Sequence, residues 1–197
     1  MIMKKILLLI LALSSTTLFA ETKTTAADGD WDSTTTWGGS LPASGDDIVI
    51  AHDVDVDDTR SCNSLTINSG ARLDVEANLT VATTSTNNGK LYIKSGDLTQ
   101  STGNFTNTSD LRIYAGYDLV FSDSNTTLTN TGSIRILSSG SAFGSLLLSG
   151  TYSESGSGTI QYSRYIAGTD YWDLIGPPLS GYSVEDFTFD NTDIATN

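Results

Sequence analysis

The chain has 197 residues with 10 Lys and Arg against 23 Asp and Glu, a formal charge of −13. That balance excludes phosphate-rich partners and anionic lipid surfaces, which need clustered cations, and favours solubility and divalent cations. A hydrophobic content of 38% excludes a disordered low-complexity tract despite abundant Ser, Thr, Asn and Gly.

Residues 1–20 read as an export signal. Lys4 and Lys5 precede the apolar run Ile6 to Leu13, and Leu18-Phe19-Ala20 offers a cut before Glu21. The run is shorter than the roughly 20 residues that span a bilayer, and no later stretch is apolar enough, so no membrane insertion is expected after signal removal. Removing the signal leaves the chain still more acidic. Cys62 is the only cysteine, so no internal disulfide forms, and its place beside a strand makes it a small buried apolar side chain.

Residues 21–45 contain Trp31, Trp37 and Leu41-Pro42 and are expected to form an N-terminal cap. Residues 46–162 then repeat short triplets with apolar ends: Ile48-Val49-Ile50, Leu65-Thr66-Ile67, Leu91-Tyr92-Ile93, Leu111-Arg112-Ile113, Ile134-Arg135-Ile136 and Ile160-Gln161-Tyr162. Further strands lie between them, and Gly- or Asn-bearing turns such as Asn68-Ser69-Gly70 and Ala115-Gly116 separate them. Each triplet turns its ends to one face and its middle to the other. One coil cannot bury so narrow an apolar edge, but stacked coils can. The expected fold is all-β: a short right-handed parallel β-helix, or β-solenoid, of about five or six coils and roughly 25–30 Å. The alternative is an antiparallel β-sandwich or barrel, with Asn88-Gly89 as a hairpin turn. Residues 163–197 are aromatic, carry Pro177-Pro178, and read as the start of an incomplete second β domain, which makes the chain a fragment of a longer protein.

In-register stacking would file Thr66, Tyr92, Arg112, Arg135 and Gln161 outward, with Tyr92 and Arg112 as a cation–π pair. Tyr92, Arg112 and Arg135 are the candidate ligand strip for an anion or sugar. Two acidic sets are candidate calcium ligands. Asp28, Asp30 and Asp32 alternate as in the first half of a calcium loop, although Ser33 and Gly39 occupy the places where the helix–loop–helix motif needs Gly and Glu. Asp53, Asp55 and Asp57 share one strand face, where a cation would relieve their repulsion. No other cofactor is expected. Asp74, Asp97, Asp110 and Asp118 lie near coil turns without a pair at catalytic spacing, and His52 reads as a corner residue. Tyr92, Tyr114 and Tyr117 are the aromatics that would serve sugar stacking.

The phrases Gly29-Asp30-Trp31-Asp32, Thr36-Trp37-Gly38-Gly39-Ser40-Leu41-Pro42 and Gly45-Asp46-Asp47-Ile48-Val49-Ile50 resemble the opening of extracellular bacterial β-helix proteins. Asn63-Ser64-Leu65-Thr66-Ile67 is similar to their coils. Trp172 to Leu179 with Val184 to Phe187 is similar to a segment of large surface proteins exported by the type IX pathway. The resemblance implies an adhesin-like or scaffold protein, secreted or on the cell surface, that meets extracellular glycans or surface proteins and is not an enzyme. The alternatives are a carbohydrate-binding module or part of a polysaccharide-degrading β-helix enzyme.

Overall fold

The structure, a computed structural model, describes residues 20–154 and 156–165. Apart from Ala20 and residues 163–165, the export signal and the tail therefore lie outside the described residues. Short strands follow one another around a three-walled prism. Two strands open it, β1 (Thr22–Thr24) and β2 (Gly29–Asp30). The first full coil is β3 (Asp47–Ile50), β4 (Val54–Val56) and β5 (Arg60–Cys62). The second is β6 (Ser64–Ile67), β7 (Arg72–Val75) and β8 (Leu79–Val81), and the third is β9 (Ser85–Asn87), β10 (Lys90–Ile93) and β11 (Leu98–Gln100). The fourth is β12 (Phe105–Asn107), β13 (Asp110–Ile113) and β14 (Asp118–Phe121), and the fifth is β15 (Thr127–Asn130), β16 (Ser133–Ile136) and β17 (Ser145–Leu148). A partial coil follows, with β18 (Thr151–Glu154) and β19 (Thr159–Tyr162).

The first wall is β1-β3-β6-β9-β12-β15-β18, the second β2-β4-β7-β10-β13-β16-β19, and the third β5-β8-β11-β14-β17. Every strand pair is parallel and joins one coil to the next. The chain is thus an all-β parallel solenoid of about five turns, and the antiparallel sandwich is excluded. Seven strands in a wall span roughly 29 Å. The sole antiparallel bridge among the described residues, Ser138 to Phe143, lies in a loop.

The interior follows from period-2 alternation. In the second wall Leu73, Leu91, Leu111 and Ile134 stack in one inner file, and Val75, Ile93, Ile113 and Ile136 in the next. All eight are buried, each stabilising the fold by about 1.5–3 kcal/mol relative to exposure. Phe105 and Phe121 meet edge to face across the interior at 5.6 Å. Cys62 is buried and unpaired in a disulfide, as expected.

The inner face of the first wall changes character partway up. Below, Ile50 and Ile67 fill the inner file; above them, Asn87, Asn107 and Asn130 take the same file. These amides are almost fully buried, and they stay satisfied by bonding one another: Asn87 Nδ2 donates to Asn107 Oδ1 at 2.7 Å, and Asn107 Nδ2 to Asn130 Oδ1 at 2.8 Å. Ser85 joins the polar interior by donating to Gln100 Oε1 at 2.5 Å.

Asn88-Gly89 is not a hairpin turn. It is the corner between β9 and β10, which belong to different walls. A Cβ at Gly89 would strike the carbonyls of Asn68 and Ala71 in the coil below, so this corner admits glycine alone. At the lower end Trp31 and Trp37 are buried, packed edge to face at 5.0 Å, with Trp37 Nε1 donating to Trp31 O at 2.6 Å. Among the described residues no helix is long and apolar enough to cross a membrane.

Candidate functional site

The outward face of the second wall gathers most of the ionic chemistry. Its middle file runs Asp30, Asp55, Asp74, Tyr92, Arg112, Arg135, Gln161. Four members of the expected file, Tyr92, Arg112, Arg135 and Gln161, are neighbours in register. Thr66 is not: it lies on the first wall beside Val49 and Thr86. The physical reason is that each coil carries up to three near-identical triplets, and those at Ile48 and Leu65 belong to a different wall from those at Leu91 onward. Step length does not reveal the switch: Leu65 to Leu91 changes wall over 26 residues, whereas Ile134 to Ile160 covers the same 26 residues within one wall.

The file is polarised. Its lower part is acidic, and the structure regroups the two expected calcium sets. Because β2 lies beside β4, Asp30 and Asp32 come together with Asp57 at the exposed surface, their ligand atoms within 4.8 Å. Asp55 instead groups with Asp74 and Glu76, again within 4.8 Å. Asp28 leaves the cluster to accept the Asp53 backbone N–H at 2.9 Å, and Asp53 pairs with Arg72 at 3.6 Å. Neither set of three therefore holds together, although four of the six residues, Asp30, Asp32, Asp55 and Asp57, lie in the two groups.

Protein cations already serve these acids. Asp74 is almost fully buried, and its Oδ2 takes the Lys94 ammonium and, at 3.2 Å, Arg72 Nε. Lys94 also reaches Glu76 at 3.5 Å, and hydrogen bonding to Asp74 raises its pKa. Arg60 stands 4.0 Å from Asp32 and 3.5 Å from Asp58. Burial, then the charges of Asp74 and Glu76, push the Asp55 carboxyl above its ordinary range. Asp74 Oδ1 is buried without a hydrogen-bond partner.

The upper part is cationic and aromatic. Arg112 lies over the Tyr92 ring at 4.7 Å, the expected cation–π pair. Asp110 ties the two together: its Oδ2 accepts from Tyr92 Oη at 3.0 Å and from Arg112 Nε at 3.0 Å and Nη2 at 2.8 Å. Asp110 thus supplies the acid that the neighbouring arginines require. Arg135 is exposed, and no acid lies within ion-pair distance among the described residues. Of this strip Arg135 alone offers an uncommitted charge. Sequence reasoning had Asp110 and Asp74 only as coil-turn acids and missed Lys94 and Glu76. The signal was present in the spacing: Glu76 follows Val75 and Lys94 follows Ile93, and those two apolar residues are partners one coil apart.

The other polar candidates are structural. His52 Nδ1 lies 2.9 Å from Thr25 O, which only accepts, so that nitrogen carries the proton and fastens the corner. Tyr117 is half-buried against the core, and Tyr114 is half-buried on the other side of the same Ala115-Gly116 turn. No protein family description matches the chain, and no curated protein or solved structure is significantly similar to it.

Proposed function

We propose that this chain is a rigid display element of an extracellular, adhesin-like surface protein, without catalysis of its own. The single observation that carries this reading is the unbroken in-register ladder of the second wall from β2 to β19. A stack pinned at every coil by backbone bonds and a filled interior holds its two ends apart at fixed distance, which suits presentation better than turnover. The export-signal pattern and the phrases similar to type IX-exported proteins support a secreted or cell-surface location. Of the acids that would have to serve a polysaccharide-degrading enzyme, Asp74 is tied to Arg72 and Lys94 and Asp110 to Arg112 on the open side of one wall, while Asp118 and Asp97 lie elsewhere, joined by the Asp118 backbone N–H. A partner glycan or surface protein would meet the Tyr92–Arg112–Arg135 strip, with Arg135 as its uncommitted charge.

Labelling intact cells of the producing bacterium with a membrane-impermeant amine reagent tests the proposal. Modification of this chain on intact cells, at a level matching that of lysed cells, is the expected result. Modification only after lysis would overturn it.

A further inference from the structure

The first wall differs from the second in charge and from the third in regularity, since the third wall's uncharged outward middle file, Ser61, Thr80, Thr99, Val120 and Leu147, turns apolar partway up. Along the first wall's outward middle file stand Thr66, Thr86, Thr106 and Thr129, one per coil and in register. Two residues earlier on each strand line a second file is built from Ser64, Thr84, Asn104, Thr127 and Thr151. Two residues later a third contains Asn68, Asn88, Thr108 and Thr131. In a chain with 10 Lys and Arg and 23 Asp and Glu, none of these positions is charged. Among the described outward positions of this face the one acid, Asp47, sits at the lower corner and is held by Asn63 and Ser64.

These hydroxyls and amides form a two-dimensional grid. Neighbours up the stack are about 4.8 Å apart, and neighbours along a strand about 6.6 Å apart. Side chains keep the backbone's repeat: Thr127 Oγ1 lies 3.0 Å from Thr151 Oγ1, and Thr108 Oγ1 donates to Asn88 Oδ1 at 2.9 Å. Threonine suits such a grid because its branched Cβ restricts rotation, so hydroxyl and methyl hold fixed positions. Immediately behind the same wall runs the buried Asn87–Asn107–Asn130 ladder, a device that pins register and resists twist.

A neutral, stiff surface that repeats in two directions selects a ligand that is itself neutral and periodic. It has no charge for an ionic partner, and among its outward positions no aromatic platform for a sugar ring. The water oxygens on the faces of ordinary ice repeat with comparable steps in two directions, and hydroxyls already fixed at that pitch join such a layer with little ordering cost. We propose that the first wall is an ice-binding surface, which adsorbs to growing ice through the rows centred on Thr86 and Thr106. An exposed chain displayed outside the cell would there hold ice or restrain its growth.

The test is partition of the purified full chain into a slowly growing ice front, with recrystallisation of polycrystalline ice as second readout. It needs no cell and is independent of where the chain is displayed. The wild type is expected to concentrate in the ice and to keep grains small. Thr106→Lys, which puts a charge at the centre of the grid, should lower that enrichment about tenfold. Thr106→Val, which keeps the shape, should lower it less. Thr99→Lys, on the outward file of the third wall, should leave it unchanged. Circular dichroism of each variant checks that the stack persists. Exclusion of the wild type from ice would overturn the proposal, as would equal losses for Thr106→Lys and Thr99→Lys. Retention on crystalline cellulose or chitin that Thr106→Lys abolishes, without ice partition, would overturn it in favour of a polysaccharide crystal.

Discussion

Asn107 accepts the side-chain amide of Asn87 at 2.7 Å and passes its own amide to Asn130, so three buried polar groups on successive coils satisfy one another. Asn107 Nδ2 also lies 3.1 Å from Ser109 O, linking the ladder to the corner that starts β13. Asn107→Ala would strand the amides above and below in a dry interior. It is expected to cost about 2–3 kcal/mol, measured by urea unfolding. Asn107→Leu should cost at least as much, since its added apolar volume does not repair the orphaned partners. A loss under 0.5 kcal/mol for both variants would show that the ladder contributes little.

The ladder also marks where sequence reading stops. The alternation in Leu91-Tyr92-Ile93 and Leu111-Arg112-Ile113 is enough to specify stacked coils with outward middles, because burying Leu and Ile ends needs a neighbour above and below. It is not enough to say which wall a triplet joins. Leu65-Thr66-Ile67 and Leu91-Tyr92-Ile93 have the same pattern but stand on different walls. An inward Asn has the composition of a turn residue, so the triplet pattern does not mark Asn87, Asn107 and Asn130 as interior, although each follows a strand Thr: Thr86, Thr106 and Thr129. The charged face was half legible. Tyr92 beside Arg112 follows from adjacent coils, whereas the meeting of Asp55 with Asp74 and Glu76 depends on the exact register of β4 and β7.

Asp55 and Asp74 lie directly opposite each other on neighbouring strands, and burial with the charges of Asp74 and Glu76 raises the Asp55 pKa in the fold. The folded state therefore binds this proton more tightly than the unfolded chain does. Ionisation of Asp55 works against folding as pH rises from the unfolded value, near 3.8, through the raised folded value, and the penalty is complete above it. Asp55→Asn should raise stability at pH 7 by up to about 1 kcal/mol, the scale of a like-charge cross-strand pair. The gain should vanish below the unfolded value, where both states are protonated. Melting temperatures of the two proteins across that pH range check this, and a gain that persists at the acid end would assign it to packing.

Cys62 is buried in the first full coil, at the end of β5, and desolvation pushes its thiol up to about 12. At neutral pH almost none is thiolate, and reagents cannot reach the sulfur without local opening. The folded chain is expected to react with a thiol-specific dye at least 100-fold more slowly than the urea-unfolded chain, a bound set by the cost of opening. Reaction in the native state at the rate of a free thiol would show that the third wall opens readily at its lower edge.

Trp31 and Trp37 bear on the stability of the stack as a one-dimensional object. Trp37 Nε1 is buried and donates to Trp31 O at 2.6 Å, while the two rings pack edge to face over the lower end of the core. Trp37→Phe keeps much of the apolar area but leaves that carbonyl without its indole partner and opens a void beside it. The expected loss is about 2 kcal/mol. In a solenoid each coil touches only its neighbours, so the damage should be local. Amide exchange should quicken in β1 to β5, next to the tryptophans, while β13 and β16, several coils away, keep their wild-type protection. Uniformly faster exchange along the chain would mean that the stack unfolds as one cooperative unit, with the tryptophans contributing to global stability instead of sealing one end.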